Sequence, residues 1–271
     1  DQPDRSLSLF SDTATYFLTL DPFSINARIQ QQINDLNGAP APEEYCYNTI
    51  LYRNYGAGIF TGFPISPFFP QLFSSDFSIG EGFNAGALLV NDNNTQSFLQ
   101  PRFVYRNPNV NAFLRPVFTL GSGNHIIRTF FNTFDTTVSR IGPTVLRPNF
   151  TVNSMSILEG DARFTYRENV TGAKGYIVVT ELQYPRLFNF DNQSKMDFQF
   201  LKNAPIYFEI RNFNTRSTAP VLYDLTNNQR YVGIVDTVVK FHLNGTAQNK
   251  NRLYLSSQAA EDITAVARLT P

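Results

Sequence analysis

Short segments in which hydrophobic and polar residues alternate recur along the whole chain. The clearest is Lys195–Phe200, where Met196, Phe198 and Phe200 fall on one face and the polar residues on the other. A period of two residues is that of a β-strand with one buried and one solvated face. The segments of this kind, rich in β-branched and aromatic residues, are 15–20, 45–52, 103–106, 115–120, 126–131, 176–182, 196–201, 206–211, 221–225, 231–235, 237–243 and 252–256. This pattern predicts an all-β fold.

Turn-forming clusters separate many of these segments. Gly, Asn, Asp and Ser accumulate at 121–124, 191–193, 226–228 and 244–245. These residues adopt tight-turn conformations at low cost, so the clusters favour hairpin and Greek-key connections. We therefore predict a jelly-roll or β-sandwich architecture with a short leading β segment and a small terminal β unit.

Prolines suggest where the chain divides. Residues 37–44 read as a linker, because Pro40 and Pro42 each remove an amide donor and restrict the preceding residue. This predicts a leading β segment over 1–36, a linker over 37–44, a β-sandwich over 45–215 and a small β unit over 216–271. Within the leading segment, hydrophobic residues spaced over 25–36 approximate a helical period, although an extended conformation of 26–29 is equally compatible.

Composition narrows the function. Lys and Arg total 22 and Asp and Glu total 22, so no net positive field attracts nucleic acid. The longest hydrophobic runs fall far short of the roughly 20 residues that span a bilayer, so we expect no transmembrane segment. The chain has 26 Phe and 13 Tyr but no Trp, an aromatic content that favours pleated, half-buried strands.

Catalytic chemistry is sparse in the sequence. A cysteine nucleophile needs a base, and Cys46 has only His125 and His242 available, neither in a recognisable catalytic context. We interpret Cys46 as a small buried side chain on a strand. The sequence contains no Gly-x-Ser-x-Gly elbow, phosphate-binding loop or zinc-ligand spacing. We therefore predict that this segment is not an enzyme and carries no cofactor.

Acidic residues leave one metal hypothesis open. Asp76, Glu81 and Asp92 could supply oxygen ligands for a structural calcium ion at one end of a sandwich. The alternative is that all three are solvated loop charges.

A phenylalanine-rich segment stands out between residues 59 and 77. It contains Pro64, Pro67 and Pro70, a density that a regular strand cannot accommodate. Its phenylalanines are Phe60, Phe63, Phe68, Phe69, Phe73 and Phe77. They are either buried in the core or form an interaction loop that docks on a neighbouring domain.

Several landmarks in order resemble the amino-terminal, non-peptidase region of the type IX secretion sortases of Bacteroidetes, the PorU-like members of the gingipain family of cysteine peptidases. The most specific is 9–19, Leu-Phe-Ser-Asp-Thr-Ala-Thr-Tyr-Phe-Leu-Thr, similar to a segment in which an acidic turn leads into a strand. The tryptophan usual near 45–63 in that family is missing. The other landmarks are 45–63, 175–182, 184–187, 196–200 and 221–226.

The resemblance implies a non-catalytic β-sandwich that positions a downstream peptidase domain of the same chain. Secretion cargo or outer-membrane secretion components are further implied partners. It also implies an extracytoplasmic location at the cell surface, associated with the outer membrane. The family cleaves sorting signals from secreted cargo, but its catalytic residues would lie outside this chain.

Two other functions remain open at the level of sequence. Jelly-roll sandwiches often bind carbohydrate, and the many tyrosines suit such a module, although the best sugar platform, Trp, is absent. An adhesin-like surface module differs mainly in its partner.

Overall fold

The protein is all-β, as predicted. The computed structural model describes residues 29–53, 59–60, 82–83, 86–88, 90, 95–203, 205–244 and 250–259. The strands of the first half are β1 Gln30–Gln32, β2 Tyr45–Tyr52, β3 Ile59–Phe60, β4 Gly82–Phe83, β5 Gly86–Leu88, β6 Gln96–Leu99, β7 Asn111–Phe131, β8 Phe134–Leu146 and β9 Phe150–Asn153. Those of the second half are β10 Ala162–Glu168, β11 Gly175–Leu187, β12 Asn189–Gln193, β13 Lys195–Phe200, β14 Ile206–Phe213, β15 Val221–Asp224, β16 Gln229–Val232, β17 Ile234–Val235, β18 Val239–Leu243 and β19 Asn251–Ser256. Within these ranges the helical structure is one 3₁₀ turn, Ser154–Ser156.

The chain forms two compact units. Of the described residues, 49–184 belong to the first unit and 29–48 with 185–259 to the second. Positions 215 and 216 both belong to the second unit, in which β13 pairs with β19 along its whole length. The division of the chain at 36/37, 44/45 and 215/216 stays a prediction.

The first unit is organised by the long strand β7. Its first half pairs with β11 from Phe113 to Leu120, and its second half pairs with β10 from Ile127 to Phe130. The hairpin partner β8 follows β7 with a register shift between Leu120 and Gly123. The edge strands β6, β5 and β9 then pair with β10, β11 and β7. The strand β7 therefore pairs with both β11 and β10, each along a different half of its length.

The core of the first unit contains buried side chains of β7, β10 and β11, among them Phe118, Tyr166 and Leu182. Phe118 packs edge-to-face on Tyr166, with 5.4 Å between ring centroids. The Tyr166 hydroxyl lies 2.8 Å from Thr180 Oγ1, which in turn lies 2.7 Å from Ser97 Oγ. These hydroxyls satisfy one another in an otherwise hydrophobic interior, where an unpaired polar group would be costly.

The second unit is a β-sandwich of two sheets. One sheet has the order β1, β16, β15, β19, β13, β2, and the other β12, β14, β18, β17. Phe198 and Phe200 of the first sheet contact Phe208 of the second at 5.8 and 5.3 Å between centroids. Each buried phenylalanine contributes roughly 1.5–3 kcal/mol by leaving water. The alternation predicted for β13 is confirmed, since Met196, Phe198 and Phe200 are buried.

The segment before β2 is docked on the second unit. The side-chain amide of Asn34 donates to the carbonyls of Val232 and Lys240, and its oxygen accepts from the His242 amide, all at 2.9 Å. The Glu43 amide donates to the Tyr207 carbonyl at 2.8 Å, within the region predicted as a linker. These contacts fix residues 29–44 to strands far along the chain.

Four local predictions were wrong. Residues 191–193 are not a connection between strands, because they form the end of β12. Residues 121–124 are not a turn, because β7 continues through them and the glycines accommodate its register shift. The helix predicted as one alternative for 25–36 is absent from the described residues 29–36. Residues 30–32 instead form β1, which pairs in parallel with β16. Ile33, expected on the buried side of that helix, is 83% exposed. The segment 103–106 contributes an isolated bridge rather than a strand. The part of the chain that is described holds no helix long and hydrophobic enough to span a membrane.

Candidate functional site

The phenylalanine-rich segment is described at one point. Phe60 lies in β3, which pairs with β4 through the registers Ile59 with Phe83 and Phe60 with Gly82. The phenylalanines at 63, 68, 69, 73 and 77 lie outside the described residues. Whether the segment is core or interface stays a prediction.

The calcium hypothesis falls on the same part of the chain. Asp76, Glu81 and Asp92 lie outside the described residues, so the hypothesis stays untested. Among the residues that are described, no three His, Cys, Asp or Glu side chains are grouped as metal ligands would be.

Cys46 is a buried core residue of β2, as its sequence context predicted. Its side chain is fully buried among the hydrophobic residues of the second unit, and its Sγ lies 3.7 Å from the Arg186 carbonyl oxygen. Burial raises the pKa of the thiol to about 12, with a smaller opposing effect from the Arg186 charge. At neutral pH this cysteine is therefore protonated and a poor nucleophile.

His125 is held in a buried polar network of the first unit. Its Nδ1 lies 2.8 Å from Glu168 Oε2 and its Nε2 lies 3.0 Å from the Gly121 carbonyl oxygen. The other oxygen of Glu168 accepts the backbone amides of Ile126, Asn169 and Val170 at 3.0–3.1 Å. Both partners are already engaged, so the pair holds the β7 to β10 connection rather than presenting a free base.

His242 also serves the fold. Its Nδ1 donates to the Asp35 carbonyl at 2.7 Å, while its Nε2 is buried without a hydrogen-bond partner among the described residues. The ring thus anchors the docked segment 29–44 to β18. Both imidazoles of the chain thus form hydrogen bonds that hold the fold together.

A shallow groove lies on the hairpin of β7 and β8. It has a volume of about 480 Å³ and is lined by Asn124, His125, Ile126, Ser139, Arg140 and Ile141. The isoleucines are its most exposed hydrophobic groups, Ile141 being 73% exposed. Since His125 is committed to Glu168, the groove offers shape and hydrophobic surface but no reactive group.

The outer face of the first unit carries a cluster that the sequence did not predict, here termed the arginine face: Phe98, Arg128, Phe130, Arg163 and Arg167. The guanidinium groups of Arg128 and Arg167 lie 5.2 and 5.5 Å from the Phe130 ring centroid, and that of Arg163 lies 5.2 Å from the Phe98 centroid. Such stacking holds each guanidinium plane in place.

Two carboxylates partly balance the arginine face. Asp135 accepts from Nε and Nη2 of Arg128, and this bond lowers the pKa of Asp135 and raises that of Arg128. Asp161 accepts from Arg163 Nε at 2.7 Å. The face therefore carries three positive and two negative side chains. Geometrically it is suited to bind an anion.

The second unit presents a tyrosine pair on its outer face. Tyr223 of β15 and Tyr254 of β19 are directly opposite, with 6.4 Å between ring centroids and 38° between ring planes. Both side chains are partly exposed, and Arg230 and Asp197 flank them in the same row. Flat aromatic rings beside polar side chains are the features of sugar-binding surfaces.

The sequence matches no family model and no curated protein. The structure is similar to a region of PorU from Porphyromonas gingivalis, solved as a dimeric latent form, with a TM-score of 0.55 and 12% identity. The match covers 84% of this chain and 22% of that one, so the chain spans about a fifth of PorU. At this identity the likeness shows a shared fold.

Two further structures give weaker matches. A carbohydrate-binding module, CBM36 in complex with calcium and xylotriose, has a TM-score of 0.29 and 12% identity over 50% of this chain and 98% of its own. Tripeptidyl peptidase 2 has a TM-score of 0.19 and 8% identity over 78% of this chain and 27% of its own. Neither score is high enough to support an argument about fold or function.

Proposed function

We propose that this chain is a non-catalytic β-sandwich region of a cell-surface, type IX secretion sortase-like protein, where it positions a downstream cysteine peptidase domain, its cargo, or both. The observation that supports this most is the fold similarity to a region of PorU over 84% of the chain. It agrees with the order of sequence landmarks that resemble the same family.

The state of Cys46 supports the non-catalytic part of the proposal. A thiol with a pKa of about 12 and no exposure cannot act as the nucleophile of a cysteine peptidase. His125 and His242 are both bound to backbone oxygens within their own units. The peptidase chemistry would therefore belong to another part of the parent protein.

Activity assays on the 271-residue chain test this part. We expect no hydrolysis of chromogenic peptide substrates, with or without a reducing agent. Hydrolysis that disappears in Cys46→Ala but persists in Ser139→Ala, an exposed control, would contradict the proposal.

The positioning role needs a separate experiment. The peptidase domain of the parent, produced separately, is added to the chain, and complex formation is followed by analytical ultracentrifugation. Limited proteolysis of residues 60–77 is followed in parallel, and we expect the added domain to slow it. Absence of a complex, together with unchanged cleavage, would contradict a docking role.

A second candidate function is carbohydrate binding, favoured by the Tyr223 and Tyr254 pair. Glycan-array screening followed by calorimetry on Tyr254→Ala would test it. The matched control is Tyr176→Ala in the first unit. Saturable binding lost in the first variant alone would favour this function, and no binding by the wild-type chain would eliminate it.

A further inference from the structure

The arginine face places two positively charged side chains opposite each other on neighbouring strands. Arg167 of β10 and Arg128 of β7 are directly opposite in an antiparallel pair. Side chains at such positions approach within about 5 Å, and like charges there are destabilising. Asp135 forms its hydrogen bonds with Arg128 and acts on Arg167 only through longer-range attraction. The two arginines therefore share one carboxylate.

Arg167 also retains an unused donor. Its Nε is buried and finds no acceptor among the described residues, while the guanidinium plane is held against the Phe130 ring. A buried donor without a partner is unfavourable. An acceptor that bonded to this Nε would therefore gain more binding free energy than an acceptor at an exposed arginine.

The neighbouring arginine indicates which acceptor fits. Arg128 binds the Asp135 carboxylate through Nε and Nη2, each nitrogen meeting one oxygen. A guanidinium fork matches a planar pair of oxygens in this way. A second carboxylate that met Arg167 in this way would also supply an acceptor for its Nε, and the Phe130 ring lies beside both guanidinium groups.

Arg163 extends the face along β10. It lies four residues before Arg167 on the same outward side of the strand, about 13 Å away at the rise of an extended chain. An extended peptide aligned with β10 has this same spacing between residues i and i+4. The bond of Arg163 to Asp161 is more than half exposed, so a ligand carboxylate can replace Asp161 at little cost.

We propose that the arginine face binds an extended peptide that carries carboxylates four residues apart, with Arg167 receiving one and Arg163 the other. The proposal does not depend on the function proposed above, and the two can fail separately.

The test uses fluorescence anisotropy with the 271-residue chain and a labelled peptide, Thr-Glu-Thr-Val-Thr-Glu-Thr, at low salt. We expect saturable binding that weakens as salt rises. Arg167→Gln should weaken it about tenfold or more, the effect typical of losing one charge-assisted pair. Arg230→Gln, which removes an equal charge from an exposed position of the second unit, should leave binding within about twofold.

Arg163→Gln gives a second variant that cannot disturb the core, because Arg163 is exposed. It should weaken binding of the two-glutamate peptide several-fold and leave a peptide with one glutamate unaffected. Replacing both glutamates by glutamine should abolish binding.

Several results would overturn the proposal. One is that wild type and Arg167→Gln bind the peptide equally well. Another is that the glutamine peptide binds as tightly as the glutamate peptide. If Arg167→Gln lowers the free energy of unfolding and leaves binding unchanged, Arg167 has a structural role. Polygalacturonate is titrated in parallel. Tighter, Arg167-dependent binding of that polysaccharide would assign the face to an anionic glycan instead.

Discussion

His125 and Glu168 form a fully buried pair, with Nδ1 and Oε2 2.8 Å apart and neither side chain exposed. The same carboxylate accepts three backbone amides. Its removal would take the acceptor from His125 Nδ1 and from the amides of Ile126 and Val170, whereas the Asn169 amide keeps its bond to the Ile126 carbonyl. The pair joins β7 to the end of β10 in the first unit. Its role can be measured through stability.

Glu168→Ala should lower the free energy of unfolding by about 3–5 kcal/mol, because it leaves buried donors unpaired. Glu168→Gln should cost clearly less, since the amide oxygen can still accept backbone amides while its NH₂ donates to a neutral Nδ1. Urea unfolding followed by circular dichroism measures both values. Glu181→Ala, which removes a partly exposed partner of Arg115, serves as control and should cost no more than about 1 kcal/mol. Equal losses in Ala and Gln variants at 168 would contradict this account.

Cys46 should resist alkylation in the native protein. At about pH 8 iodoacetamide should label it only as fast as the chain unfolds, because both burial and the raised pKa suppress the thiolate. Mass spectrometry with and without denaturant measures the labelled fraction. A Ser139→Cys substitution in the Cys46→Ala background supplies an exposed thiol as control. Rapid native labelling of Cys46 would show that the residue is accessible.

Alkaline pH should weaken the second unit through the same cysteine. The folded pKa of about 12 lies above the ordinary value of 9.0, so above pH 9 the unfolded chain releases a proton that the folded chain keeps. The contribution of this thiol to stability is therefore fully retained below pH 9 and is lost as pH rises towards 12, by at most about 1.4 kcal/mol per pH unit. Cys46→Ala should show a shallower decline in urea midpoints between pH 8 and 10.5. Parallel declines would rule out this contribution.

Phe208 should be the most sensitive core position of the second unit. Its ring contacts those of Phe188, Phe198, Phe200 and Phe241, at 5.3–5.8 Å between centroids. Phe208→Ala should cost about 3–5 kcal/mol, since both burial and packing are lost. Leu225→Ala, at a position 43% exposed, should cost less than about 1 kcal/mol. Similar unfolding midpoints for the two variants would contradict the placement of Phe208.

Several strands with a buried hydrophobic face could be predicted from the sequence, although β10, which buries Phe164 and Tyr166, was not. The strands β13, β14 and β19 were identified, because their inward residues are large and regularly spaced. The strand β2 was identified from its β-branched and aromatic content. The strand β8 was missed, since much of it is only partly buried and its Thr and Ser residues give no contrast between faces. Glycines at 121 and 123 were read as a turn, although glycine serves a register shift within a strand equally well.

The candidate sites were harder to predict than the strands. Arg128 and Arg167 become neighbours only through the register of β7 on β10, which no local pattern specifies. The pairing of His125 with Glu168 depends on the same register. The burial of Cys46 could be predicted, because a free cysteine on a strand is among the residues most often buried.

The docking of residues 29–44 has a consequence for how the protein matures. Asn34 and Asp35 are bonded to residues about 200 positions later, with separations of 198 to 208. During synthesis from the amino terminus, this segment can form these bonds only after residues 49–184 have been made. The intervening unit can fold on its own contacts first, whereas the other can close only at the end. The second unit therefore cannot complete its contacts until the chain has been made at least as far as β18.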